Sequence, residues 1–142
     1  MPEQTKATLT WQGGLRFAAE GEKSGKSVLL DSPTQEDCAG PSPMELLIMG
    51  VAGCTAMDVV VILQKMRQPL TGLQVEILGD RAETNPKYYR ALTIHYHLWG
   101  TGLDREKAER AVKLSQEIYC SALASLRPDC QVTSQIHVHE NP

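Results

Sequence analysis

Residues 42–63 read SPMELLIMGVAGCTAMDVVVIL, and the rest of the chain is interpreted around them. Ser42 or Pro43 opens a helix, because proline is tolerated in a first turn. Glu45 falls in that turn, where a negative charge suits the helix dipole. The pattern runs to about Arg67, with Lys65 and Arg67 at the carboxyl end and Pro69 as a stop. Such a helix of about 24 residues spans about 36 Å. From Leu46 to Leu63 it is apolar nearly all round, with Asp58 as its one charge. The length alone permits a membrane span. The central Asp58 and the interior glycines Gly50 and Gly53 favour a buried helix instead. A helix apolar on every side must be covered on every side. A 15.6 kDa chain is too small to do this alone, so a second copy is expected to supply part of the cover.

Strands are expected on both sides of the helix. Ala7, Leu9 and Trp11 alternate with Thr8 and Thr10. Gly13-Gly14 marks a hairpin, and 15–20 and 27–31 supply two returning strands. Residues 32–42 are a Pro-, Ser- and Gly-rich loop. Beyond the helix, 73–82 and 91–99 read as strands around an Asn85-Pro86 turn. Asp104 is a candidate N-cap. Ala108, Ala111, Val112, Ser115, Ile118, Tyr119, Ala122 and Leu126 then recur at helical spacing, up to Pro128. Residues 132–139 form a last strand. Three strands, helix, two strands, helix, strand is an α+β order with antiparallel pairing expected. The 142 residues suit one domain, 1–142. A net charge of −3 gives no footprint for nucleic acid or an anionic membrane. The polar opening MPEQTKAT does not read as a secretory leader, so a cytoplasmic location with reduced cysteines is expected.

Four cysteines remain: Cys38 in the Pro/Gly loop, Cys54 and Cys120 on the two helices, and Cys130 before the last strand. No CxxC occurs, so zinc-ribbon and thioredoxin patterns are absent. Buried cysteine often serves only as a small hydrophobe. Gly50 and Gly53 beside Cys54 weigh against that reading, since each costs about 1 kcal/mol relative to Ala in a helix. They imply close packing, or close approach by something else. Asp58, one turn after Cys54, needs a partner, and a helix-anchoring hydrogen bond or ion pair is the preferred reading.

The combination of AGC (52–54), D-V-x-x-I-L (58–63) and S-x-x-x-Y-C (115–120) resembles the OsmC/Ohr family of osmotically inducible and organic-hydroperoxide-resistance proteins. The resemblance covers about residues 7–139 and is nearest to the OsmC-like branch with SPMELL and AGC. It implies antiparallel sheets packed on two long helices in an intertwined homodimer, with each site near the subunit interface. It also implies a dithiol peroxidase in oxidative-stress defence, with no cofactor or metal. Cys54 would attack an organic hydroperoxide and become a sulfenic acid; Cys120 would resolve it as a disulfide. A small dithiol or lipoyl-type reductant would regenerate the pair. Arg16 would supply the cation the family draws from its first sheet. The family's glutamate position holds Met44 here, and Glu45 follows one residue, or about 100° of helix, later.

Two other readings come from the residues themselves. A small apolar ligand near Met44, Gly50 and Gly53 would make this a binding or redox-sensing protein. His95 with His97, and His137 with His139, form two H-x-H pairs, each on one face of a strand. Were those strands neighbours, four imidazoles would meet and offer a zinc, copper or nickel site. A solvated sheet face is the preferred reading. Arg81, Lys87, Tyr88, Tyr89 and Arg90 are read as a solvated turn, and 105–113 as a mixed-charge exposed helix face.

Overall fold

The computed structural model describes residues 3–140. Two compact units make up the chain, one ending at Leu47 and the next beginning at Ile48. In the first, β1 (Ala7–Trp11), β2 (Phe17–Gly21) and β3 (Ser27–Leu30) form an antiparallel meander. The β1–β2 turn needs left-handed backbone at Gly13 and Gly14, with φ of 96° and 56°. Arg16 lies in this turn, ahead of β2, and not inside the strand expected at 15–20.

The long helix α1 (Pro43–Lys65) follows. Its start is a capping box. Glu45 N donates to Ser42 Oγ (3.2 Å), and Ser42 N donates back to Glu45 Oε1 (3.0 Å). Pro43 takes the first helical position, where no amide hydrogen is needed.

In the second unit, β4 (Gly72–Arg81), β5 (Tyr89–Trp99) and β6 (Gln131–His139) form a sheet in that order. β4 and β5 are antiparallel, but β5 and β6 are parallel, which corrects the expectation of antiparallel pairing throughout. The reason is the connection. Residues 100–130 contain helical segments and carry the chain back across the sheet, so β6 re-enters in the direction of β5. Val59 and Leu63 of α1, Ile94, Tyr96 and Leu98 of β5, and Ala108, Ala111 and Val112 of α2 (Arg105–Leu114) make the core. Asp104 caps α2 as expected, accepting from Glu106 N at 3.0 Å.

The second helix is not continuous to Leu126. It widens into a π turn (Ser115–Tyr119), breaks at Cys120 and restarts as α3 (Ser121–Ala124). Cys120 N donates to Ser115 O at 2.7 Å, an i→i+5 bond, and Cys120 itself is extended (φ −75°, ψ 97°). Ile118 and Tyr119, expected on the apolar face, are 65% and 58% exposed because the wider turn rotates them outward.

One chain buries a single stripe of α1: Val51, Thr55, Val59 and Leu63, at a spacing of four. Leu47, Met49, Met57 and Val61 stay exposed, Met57 at 72%. By length and composition alone α1 is long and apolar enough to cross a membrane, with 22% of its most apolar window buried in the chain.

Candidate functional site

Cys54 and Asp58 share a face of α1, one turn apart, and the π turn delivers Cys120 to the same place. The two Sγ atoms and an Asp58 carboxylate oxygen lie within 4.8 Å of one another. Both sulfurs are free thiols. Cys54 is half-buried and Cys120 is 4% exposed. Burial pushes the Cys120 thiol up to about 11, and its hydrogen bond to Cys54 acts in the same direction. Amide groups of Leu123 and Ala122 oppose the shift; Leu123 N donates to Cys120 Sγ at 3.5 Å. At neutral pH Cys120 is therefore a thiol, with the neighbouring Cys54 adding to its upward shift.

Beneath the thiols runs a buried polar chain. Gln116 Nε2 contacts Tyr96 Oη at 2.9 Å, Tyr96 Oη contacts Thr55 Oγ1 at 2.9 Å, and Thr55 Oγ1 contacts Ser115 Oγ at 2.8 Å. Ser115 Oγ donates to Asp58 Oδ2 at 2.9 Å. Each hydroxyl has one proton, and the last acceptor is a carboxylate, so the sense of every bond is fixed. Gln116 donates to Tyr96, Tyr96 to Thr55, Thr55 to Ser115, and Ser115 to Asp58. The anchoring partner expected for Asp58 is thus Ser115. Thr55, Tyr96 and Ser115 are fully buried, and burial raises the Tyr96 hydroxyl above its ordinary range. Sequence reasoning passed over Thr55, Ser115, Tyr96 and Gln116 as site residues. The only signal was polar residues recurring on apolar faces.

Arg16 and Glu45 have partners within the first unit. Arg16 Nε donates to Asp31 Oδ2 at 3.0 Å, and Nη2 reaches Asp37 Oδ2 at 3.1 Å and Asp37 O at 2.8 Å. Asp31 is 3% exposed. The amides of Ala39 and Ser32, then Arg16, hold its carboxyl below the usual range. Glu45 closes the capping box.

Gly53, with Ala52, Ala56, Met57, Val60 and Val61 of α1 and Leu73 and Val75 of β4, lines an apolar groove of about 690 Å³. A Cβ added at Gly50 or Gly53 would meet nothing within 4 Å, so packing inside the chain does not explain either glycine. Cys38 is exposed and donates to Gly40 O at 3.2 Å. Cys130 precedes β6, its thiol raised by burial and then by Asp129. The four histidines do meet, because β5 and β6 are neighbours. Burial, followed by His97, His95, His139 and Arg105, holds His137 below the ordinary imidazole value.

The family model for OsmC-like protein matches residues 34–135. Protein YhfA of Escherichia coli K12 is 35% identical over 133 residues, covering 94% of this chain and 97% of YhfA. A hypothetical protein from Aquifex aeolicus superposes with a TM-score of 0.88 at 28% identity, covering 99% of this chain and 100% of that one. An organic hydroperoxide resistance protein, OsmC, of Legionella pneumophila shares the fold with a TM-score of 0.70 at 20% identity, over 96% and 98% of the two chains. By sequence and by fold, the chain belongs to the OsmC-like protein family.

Proposed function

We propose that this is a dithiol peroxidase that reduces organic hydroperoxides, acting in oxidative-stress defence in the cytoplasm. One observation carries the reading: a half-buried Cys54 sulfur and a buried Cys120 thiol beside a single carboxylate, Asp58. The Cys54 thiolate attacks the O–O bond of ROOH and becomes a sulfenic acid, and the leaving alkoxide takes a proton to become ROH. The Cys120 thiol then attacks the sulfenic sulfur. A Cys54–Cys120 disulfide forms and water leaves. A dithiol or lipoyl-type reductant returns two hydrogens and restores both thiols. In this reading Arg16 and Glu45 are the activating pair, and Arg16 must exchange a carboxylate partner to act. A second copy covers the exposed face of α1 in a homodimer.

The test uses fully reduced protein and one equivalent of cumene hydroperoxide, with thiol counting and mass-spectrometric mapping. The expected result is rapid loss of two thiols with a Cys54–Cys120 linkage. No loss, or slow loss spread over all four cysteines, overturns the reading. The apolar groove beside Gly53 favours a second one, a binding or redox-sensing protein for a small apolar ligand. Such a protein releases an apolar molecule on denaturation and shows no turnover.

A further inference from the structure

Away from the thiols, the outer face of the second sheet carries a ladder of imidazoles. His97 and His137 are register partners on the parallel strands β5 and β6, and His95 and His139 extend the same face at period two. His95 Nδ1 lies 3.2 Å from His137 Nε2, and His97 Nδ1 lies 3.2 Å from His139 Nε2. His97 and His137 stack between the two pairs, with ring centroids 4.6 Å apart. Trp99 closes one end, 4.9 Å from His139. All four histidines are half-buried.

We propose that His95, His97, His137 and His139 form a binding site for a divalent late first-row transition metal of the zinc and nickel class, with each ion chelated by a cross-strand imidazole pair. The spacing fits. Two nitrogens bound to one ion at about 2.0–2.1 Å with a tetrahedral angle between them lie about 3.3–3.4 Å apart. Both pairs stand at 3.2 Å as head-on hydrogen bonds between nearly coplanar rings, centroids 5.5 Å apart, so a small turn of each ring is needed to aim both lone pairs at one ion. Each pair now shares one N–H between the facing nitrogens. On binding, that hydrogen moves to the ring's other nitrogen, and both rings turn so that their freed lone pairs meet at the ion, beside the N–N axis. Neutral imidazole is a borderline donor that suits zinc, nickel and copper over calcium or magnesium. Glu76 sits opposite His95 in the register on the same face and adds negative charge. The nearby cation, Arg105, is held by Glu109 at 3.0 Å and by Ile136 O at 2.9 Å. Water would fill the remaining coordination positions. Pairing of β5 with β6 is the observation that the sequence left open, and it reverses the preference for a merely solvated face.

The test uses full-length, reduced protein made without an affinity tag, in wild-type and Cys54→Ser/Cys120→Ser forms. Equilibrium dialysis with Zn²⁺ is expected to give about one to two ions per chain in both forms. Zn²⁺ should shift the imidazole resonances of all four histidines, and paramagnetic Ni²⁺ should quench Trp99 emission in a Trp11→Phe background. His95→Gln/His97→Gln and His137→Gln/His139→Gln each remove one side of both pairs. Each is expected to weaken binding by at least about tenfold, the lower end of what even supporting residues contribute to metal sites. Equal affinity in wild type and both double variants overturns the proposal. So does a Co²⁺ complex whose thiolate charge-transfer band disappears in Cys54→Ser, because the ion then sits at the thiols. If a double variant fails to fold, the imidazole shifts and Trp99 quenching in otherwise native protein still decide the matter.

Discussion

Cys54 and Cys120 differ in environment by more than their separation implies. Half-buried Cys54 faces Asp58, while Cys120 is sealed, its thiol pushed up to about 11. Cys54→Ser is expected to abolish hydroperoxide reduction. Cys120→Ser should stall the protein with a sulfenic acid at Cys54, detectable by dimedone labelling. Ser115→Ala removes the acceptor for Thr55 and the donor to Asp58 together. That should cost about 1–3 kcal/mol, read as a lower urea midpoint at unchanged slope. Cys54 was legible because a cysteine inside a glycine-flanked apolar helix is chemically conspicuous, and Cys120 was legible through the resemblance carried by S-x-x-x-Y-C. The Gln116–Tyr96–Thr55–Ser115–Asp58 chain was not. Its members lie on three elements, and a serine or threonine on an apolar face looks the same whether it is a spacer or a link.

At the scale of elements, α1 was legible to within two residues at either end, since Ser42, Pro43, Glu45 and Pro69 punctuate it physically. Ser42→Ala removes half of the capping box and should cost about 1 kcal/mol, measured by thermal unfolding. The break in the second helix was not legible. A π turn keeps a helical spacing of apolar residues over its first turn, and only the outward rotation of Ile118 and Tyr119 betrays it. Because Cys120 has a hydrogen-bond partner in Cys54, its alkylation depends on this turn. In Cys54→Ser the burial remains and one source of the upward shift goes. The pH midpoint for iodoacetamide labelling of Cys120 should fall below that seen in wild type, yet stay above 9. A midpoint at or below that value would remove burial as the main cause.

For the molecule as a whole, the α+β class and the order of elements followed from the pattern, whereas the parallel β5–β6 pair required knowing where the crossover lands. Asp31 and Cys120 contribute to the pH dependence of stability at opposite ends. Asp31 titrates below its unfolded value, so its contribution is present above about pH 3.9 and is lost as the pH falls through the folded value. Cys120 works in the opposite sense, because the unfolded thiol gives up its proton first. Reduced protein should lose stability as the pH rises from 9 towards 11, and Cys120→Ser should flatten that limb in urea titrations. The exposed line of α1, with Met57 at 72% and Val61 at 47%, sets a further condition. In the proposed homodimer a second copy would complete it, making folding a matter of abundance, and the melting midpoint is expected to climb with protein concentration in a dilution series. A cell that made only a little of the chain would hold it half-dressed, open to proteolysis along its most apolar helix. Supply, as much as sequence, would then decide how much active protein survives.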